Sequence, residues 1–325
     1  MSWLVTGGAG YIGAHIVRAL SDAGMSPVVL DDLSSGHAEF VPEGVPFVRG
    51  SILDHSLLVE TLRSHRVAGV IHVAGYKYAG VSVQRPLHTY EQNVEGTRVV
   101  LAAMAETGVS HLVFSSSAAV YGTPDVELVT EDLPKRPASP YGESKLIGEW
   151  LLRDQAVATA SSDAPLRHTS LRYFNVVGSS DPSVYDTSPH NLFPLVFEAL
   201  IEGRTPKIFG DDYDTPDGTN VRDYVHVGDI AAAHVVAAQR LQAGEPVEPA
   251  YNLGSRNGLS VRQIMDAMAR GTGIDFEPEI GPRRPGDPDR IVATGDLAAR
   301  DLDWQNRYTV DEMVRSGWEA RRAAG

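Results

Sequence analysis

Seven residues near the start of the chain leave it little freedom. Gly7-Gly8-Ala9-Gly10-Tyr11-Ile12-Gly13 follows the apolar run Trp3-Leu4-Val5-Thr6. From Ala14 to Ala23, Ile16, Val17 and Leu20 fall on one helical face, and Gly24 suits a helix C-terminus. Pro27-Val28-Val29-Leu30-Asp31 reads as a second strand. A bare glycine pattern marks only a tight turn ahead of a helix. Strand, glycine turn, helix and strand within about 30 residues is a βαβ unit, and that context points to dinucleotide binding. Gly10 lets the backbone approach a pyrophosphate, and Gly13 lets helix and strand pack closely. The helix N-terminus offers N–H donors to the phosphates. Asp31 ends the second strand, where a carboxylate binds the adenosine ribose hydroxyls and repels a 2′-phosphate. This favours NAD over NADP.

The alternation continues. Strands are predicted at 46–48, 69–73, 111–115 and 168–172, with helices at 54–64, 86–108 and 140–158. Repeated βα units predict an α/β fold: a Rossmann-type doubly wound parallel sheet with helices on both faces. Ligands in such sheets bind beyond the strand C-terminal ends. Asp31, Gly75-Tyr76-Lys77, Ser116-Ser117 and Tyr173-Phe174-Asn175 follow strands and should converge with the glycine loop. The remainder is less regular. Ser260-Val261-Arg262-Gln263 and Thr309-Val310-Asp311-Glu312 fit capping boxes. Pro282 to Asp287 reads as a loop. The expected division is a dinucleotide-binding domain over 1–175, rejoined by 221–253, and a smaller C-terminal α/β substrate-binding domain from 176–220 and 254–325.

Ser139-Pro140-Tyr141-Gly142-Glu143-Ser144-Lys145 opens a helix. Ser139 is a good N-cap, Pro140 suits the first position, and Glu143 meets the positive end of the helix dipole. Tyr141 and Lys145 share a face. An ammonium beside a phenol stabilises the phenolate, which makes Tyr141 a candidate acid/base at neutral pH. Alone, the pair is also what an ordinary surface would carry.

Composition narrows the chemistry. The net charge of −14 argues against a broad nucleic-acid or acidic-membrane surface. There is no cysteine, so disulfides, thiol nucleophiles and cysteine-based zinc sites are excluded. His72, His190, His226 and His234 have no metal-ligand spacing and read as structural; no metal is expected. Without a signal peptide or a long apolar span, a cytoplasmic protein is expected.

The glycine loop, Ser115-Ser116-Ser117 and Tyr141 with Lys145 together resemble an extended short-chain dehydrogenase/reductase. Ala74-Gly75-Tyr76-Lys77, Ser82-Val83-Gln84-Arg85-Pro86, Ser115 through Gly122, Arg172-Tyr173-Phe174-Asn175, Asn191-Leu192-Phe193-Pro194 and Gly218 through Val227 narrow this to the UDP-glucose 4-epimerases. These stretches run in order along essentially the whole chain. The resemblance implies tightly held NAD, a UDP-hexose substrate and a homodimer. It implies Tyr141 as base, Lys145 as the residue lowering its pKa, and Ser117 as partner of the sugar 4-hydroxyl. Cofactor contacts would come from Gly7, Gly10, Tyr11, Ile12 and Gly13, then Asp31, Asp32, Ser34, Ser35 and Gly36. Ser51, Ile52, Val73, Ala74, Gly75, Lys77 and Asn93 would follow. Ser115, Tyr141, Lys145, Tyr173 and Phe174 would complete the set. Substrate contacts would come from Lys77, Ser117, Tyr141, Phe174, Asn175, Asn191 and Leu192, with Phe209, Arg222, Arg284 and Asp287. Arg222 and Arg284 suit a pyrophosphate by their fork geometry. Arg222 could instead pair only with Asp223, and Arg284 could be a solvated loop charge.

Three positions depart from the family. Ser51 stands where an Asp usually contacts adenine, Val176 replaces a usual proline, and Ile291 leaves acceptance of N-acetylated sugars open. A sugar-nucleotide dehydratase would need an acidic residue beside the serine, where Ala118 and Ala119 stand. An epimerase for UDP-glucuronate would need an added contact to the carboxylate. A non-catalytic NAD sensor would have no reason to keep Ser117, Tyr141 and Lys145 together.

Overall fold

The structure is a computed structural model, and residues 1–284 and 287–324 are described. Pro285 and Gly286 of the expected 282–287 loop lie outside the described residues. The N-terminal part runs β1 (Ser2–Thr6), α1 (Tyr11–Asp22), β2 (Ser26–Asp31), β3 (Phe47–Arg49), α2 (His55–Ser64) and β4 (Val67–His72). It continues through short α3 (Ala79–Ser82) and α4 (Pro86–Tyr90), a π turn (Glu91–Glu95), α5 (Gly96–Thr107), β5 (His111–Ser117), α6 (Pro140–Thr159) and β6 (Arg167–Tyr173). Then come β7 (Asn175–Val177), α7 (Leu192–Ile201), β8 (Lys207–Phe209), β9 (Val221–Arg222), β10 (Tyr224–His226), α8 (Val227–Ala243) and β11 (Ala250–Leu253). The chain ends with β12 (Leu259–Ser260), α9 (Val261–Thr272), β13 (Glu279–Gly281), β14 (Arg290–Ile291), α10 (Asp296–Leu302) and α11 (Val310–Ala323).

Seven parallel strands form the main sheet in the order β11-β6-β5-β4-β1-β2-β3. The strands alternate their side chains between two apolar layers. Trp3, Val5, Val29, Ile71 and Leu171 pack with α1 and α8 on one side. Leu4, Val28, Leu30, Val70 and Phe114 pack with α2 and α5 on the other. Both faces are covered, as a parallel sheet requires. β9 and β10 pair with β7, β12 and β14 outside this sheet, so the chain rejoins it from Val227 rather than Val221. A third core gathers Phe193, Phe197, Ile264, Met268, Met313 and Trp318 beneath α7, α9 and α11.

Local signals explain the helix starts. Ser139 accepts from the Gly142 amide at 3.2 Å, with Pro140 in the first turn. Ser260 with Gln263, and Thr309 with Glu312, form reciprocal capping boxes. The helical stretch from Pro86 is interrupted by the π turn, which the apolar pattern does not reveal.

Four buried histidines are held neutral by desolvation: His15, His226 and His234 near pKa 4, and His72 near 3. The unfolded chain protonates them around pH 6.5. Below that pH the unfolded state binds more protons, so folding stability falls as the solution is acidified. Each histidine removes at most about 1.4 kcal/mol per pH unit over its window. The thermal midpoint is therefore expected to fall between pH 7 and pH 5, and calorimetry across that range checks it.

Candidate active site

The C-terminal ends of the main strands open into a cleft of about 810 Å³ facing the C-terminal region. At one end lies the glycine loop. Gly7 has a left-handed backbone (φ +72°), and a Cβ on Gly13 would sit 2.0 Å from the Gly7 carbonyl oxygen. Only hydrogen fits there. α1 starts without a side-chain cap, so its first amides have no partner within the helix and are available to an anion. Asp31 is buried, and its carboxylate accepts from the Ala9 amide at 3.0 Å and the Leu33 amide at 2.8 Å. Burial pushes its pKa up, and those two amides oppose the shift. Free donors beside a glycine cradle and an anchored carboxylate fit a bound dinucleotide.

At the middle of the cleft, α6 brings Tyr141 and Lys145 over the end of β5. Lys145 Nζ donates to the Ser115 carbonyl at 2.9 Å and stands 6.0 Å from the centre of the Tyr141 ring. Burial raises the Tyr141 pKa, with the Ser117 hydroxyl pulling it partly back. Burial lowers the Lys145 pKa to about 8. The sequence predicts a phenol lowered by the lysine. Here burial raises it instead, and the ammonium is bonded to the Ser115 carbonyl.

At the far end, Arg222 and Arg284 line the cleft with Asn175, Asn191, Leu192, Phe209 and Asp287. Arg284 lies over the Phe209 ring at 4.1 Å. Arg222 does not pair with Asp223. It donates to the Val221 carbonyl at 2.9 Å and faces Asp287 at 3.5 Å. Among the described residues its buried Nη2 has no hydrogen-bond partner and meets only the Asp287 carboxylate, at that 3.5 Å. Asp223 is fully buried and receives the Ser255 and Ala293 amides, tying β9 and β10 to the segments after β11 and β14.

Most of the expected residues meet in this cleft. Gly7, Gly10, Tyr11, Ile12, Gly13, Asp31, Asp32, Ser34, Ser35, Gly36 and Ile52 line it, as do Val73, Ala74, Gly75, Lys77, Tyr173 and Phe174. Five expected residues stand apart from its wall. Ser51 accepts from the Leu53 amide at 3.2 Å, within its own turn. Asn93 is buried and its amide is fully used on Tyr76 and Ser144, so it shapes the loop after β4 instead of facing the cleft. Ser115 bonds His234 through Oγ at 2.9 Å and reaches Lys145 only through its carbonyl. Ser117 sits behind the Tyr141 phenol, its Oγ accepting from the Ala119 amide at 3.2 Å. Ile291 on β14 pairs with Arg222 on β9 and is not among the residues that line the cleft.

The sequence reading missed other residues. Tyr78 packs edge-on against His190 across the cleft mouth, with ring centres 4.9 Å apart, so His190 belongs to the cleft rather than to the structural histidines. Ser82 accepts from the Tyr141 amide at 3.1 Å and so fixes the first turn of α6. Neither has a spacing signal, since each depends on two segments distant in sequence.

A phenol, an ammonium and a serine beside a dinucleotide cradle are the feature set of an NAD-dependent enzyme of the short-chain dehydrogenase/reductase type. The chain belongs to the NAD dependent epimerase/dehydratase family, which matches residues 3–254. It is 42% identical over 324 residues to the UDP-glucose 4-epimerase of Lactobacillus helveticus, covering 98% of this chain and 96% of that protein. It superposes on UDP-glucose 4-epimerase from Brucella ovis in complex with NAD at a TM-score of 0.92, with 39% identity and coverage of 98% and 97%. The Bifidobacterium longum UDP-glucose 4-epimerase in complex with NAD+ and UDP matches at 0.89, with 34% identity and coverage of 99% and 98%. No described helix is long and apolar enough to cross a membrane.

Proposed function

We propose that this chain interconverts the C4 epimers of a UDP-hexose, UDP-glucose and UDP-galactose, with NAD. The placement of Tyr141 and Lys145 between the glycine cradle and the Arg222–Arg284 end, with Ser117 hydrogen-bonded to the Tyr141 phenol, supports this reading. Residues 1–175 with the returning α8 and β11 hold the cofactor. The remaining C-terminal residues hold the UDP-sugar. Asp31, Asp32, Ser34, Ser35 and Gly36 would surround the adenosine ribose, and the amides at the start of α1 would meet the pyrophosphate. Lys77, Tyr173 and Phe174 would border the nicotinamide half. When bound, NAD would supply the hydride acceptor and donor for the reaction.

The protein's own steps follow from the site. Tyr141 takes the proton of the 4-hydroxyl, and Ser117, hydrogen-bonded to the phenol, holds it for that transfer. Lys145, held by the Ser115 carbonyl, favours the ionised phenol. The 4-keto sugar turns over in the cleft, and Tyr141 returns the proton to the opposite epimer. Arg222 and Arg284 hold the diphosphate while the hexose stays free to turn. Atoms and electrons balance, and nothing is oxidised overall. Ala118 and Ala119 follow Ser117 where dehydration would require an acid.

N-acetylhexosamine and glucuronate epimers remain the second reading, on the strength of Ile291 lying off the cleft wall. Incubation with UDP-galactose, UDP-N-acetylgalactosamine and UDP-galacturonate in parallel separates them. UDP-glucose is the expected main product, and turnover of none of the three would sink the reading in favour of an NAD sensor. We also infer a homodimer. Leu87 of α4 and Trp150 and Val157 of α6 are large apolar side chains left exposed on the helices that flank the catalytic tyrosine and lysine. Sedimentation at about the 35.0 kDa of one chain would contradict it.

A further inference from the structure

The face of α6 that carries Tyr141 and Lys145 continues one turn further to Glu149, a residue the proposed reaction does not use. Its side chain and that of Arg172 on β6 are only 11% and 5% exposed. Arg172 grips the carboxylate from two nitrogens, Nε to Oε1 at 2.8 Å and Nη2 to Oε2 at 2.6 Å. Ser116 Oγ donates to the same Oε1 at 2.6 Å. Arg172 Nη1 donates to the Tyr121 hydroxyl at 2.7 Å, which in turn donates to Asn252 Oδ1 at 2.8 Å. The Asn252 amide then donates to Glu131 at 2.7 Å. Lys135 stands against the Tyr121 ring, so two cations and two carboxylates balance in the cluster.

The arrangement has a register. Ser116 and Arg172 are paired neighbours on β5 and β6. Three successive residues of β5 therefore meet three positions of α6 spaced by four: Ser115 meets Lys145, Ser116 meets Glu149, and Ser117 meets Tyr141. A buried ion pair adds little net stability compared with well-packed apolar residues. What a bidentate guanidinium–carboxylate fork adds is fixed geometry. At a reacting centre, a displacement of about 1 Å costs on the order of 100-fold in rate.

We propose that the Glu149–Arg172 pair is a positioning device: it sets the height of α6 on the ends of β5 and β6, and so holds Tyr141 and Lys145 in place against Ser117. The functional part of this proposal rests on the epimerase reading. Neither residue touches the cleft. Both act through the serine strand and the catalytic helix.

The test removes both charges together. Glu149→Met with Arg172→Met leaves no unpaired buried charge, so the fold is expected to survive with a thermal midpoint close to wild type. kcat for UDP-galactose is expected to fall by about 10-fold or more, with KM and retained NAD nearly unchanged. Hydrogen exchange is expected to speed up at amides of residues 115–121 and 140–145 and to stay unchanged elsewhere. A double variant with wild-type midpoint, kcat and exchange overturns the proposal. So does a variant whose activity loss only follows its loss of stability. If the double variant does not fold, Glu149→Gln is read in the same way, and failure of both to fold also overturns the positioning role. Wild-type protein without turnover would sink the epimerase reading alone, because the exchange measurement still decides the positioning claim.

Discussion

Replacing Tyr141 by Phe is expected to lower kcat on the order of 1,000-fold while leaving KM for the UDP-sugar nearly unchanged. The substitution removes one oxygen, the atom that would take and return the 4-hydroxyl proton. The ring stays in its slot, so binding at the Arg222–Arg284 end is undisturbed. A fall in kcat without a rise in KM is the mark of an interaction made in the transition state. Burial raises the phenol, so the ionised form has to be favoured in the working site by the Lys145 ammonium. Lys145, lowered to about 8, loses its charge above that pH. Support for the phenolate therefore fades on the alkaline side. Steady-state rates of Tyr141→Phe and wild type against UDP-galactose check the first expectation. Near wild-type turnover would remove Tyr141 from the reaction.

The second large effect belongs to Gly13. An added methyl in Gly13→Ala would meet the Gly7 carbonyl oxygen at 2.0 Å and the Gly7 carbonyl carbon at 2.8 Å. Both are backbone atoms of the loop that would cradle the pyrophosphate, so no side chain can swing aside. Either α1 or the loop must move, at a cost of about 1–3 kcal/mol for overpacking. Movement of either displaces the amides at the start of α1. Purified Gly13→Ala is expected to carry little NAD and to melt below wild type by several degrees. Cofactor content after denaturation and a thermal scan measure both. A variant with full NAD content would show that the cradle tolerates a side chain.

Much of this architecture is legible in the sequence because its signals are local. The glycine loop, the capping boxes at Ser260 and Thr309, and the Ser139-Pro140 helix start each lie within a few residues. The seven-stranded sheet follows from repeated apolar runs. What escapes sequence reading is whatever depends on two distant segments. Asn93 sits in a π turn that aims its amide at Tyr76 and Ser144, a geometry that a 3.6-residue period does not contain. Ser82 meets Tyr141 from 59 residues away, and Tyr78 meets His190 across the cleft. Glu149 reads as a polar residue on a helix until Arg172 is placed beside it. The pKa of Tyr141 escaped for a related reason: spacing reports the lysine neighbour but not the burial that raises the phenol.

In the proposed reaction, hydrogen leaves and returns at sugar C4 as hydride while Tyr141 handles only the hydroxyl proton. UDP-galactose labelled with deuterium at C4 tests it directly, with the product UDP-glucose analysed by mass and by NMR. The prediction is full retention of deuterium at C4, with no reduced NAD accumulating in solution. Loss of the label to water would mean that carbon C4 is deprotonated, and would contradict the account.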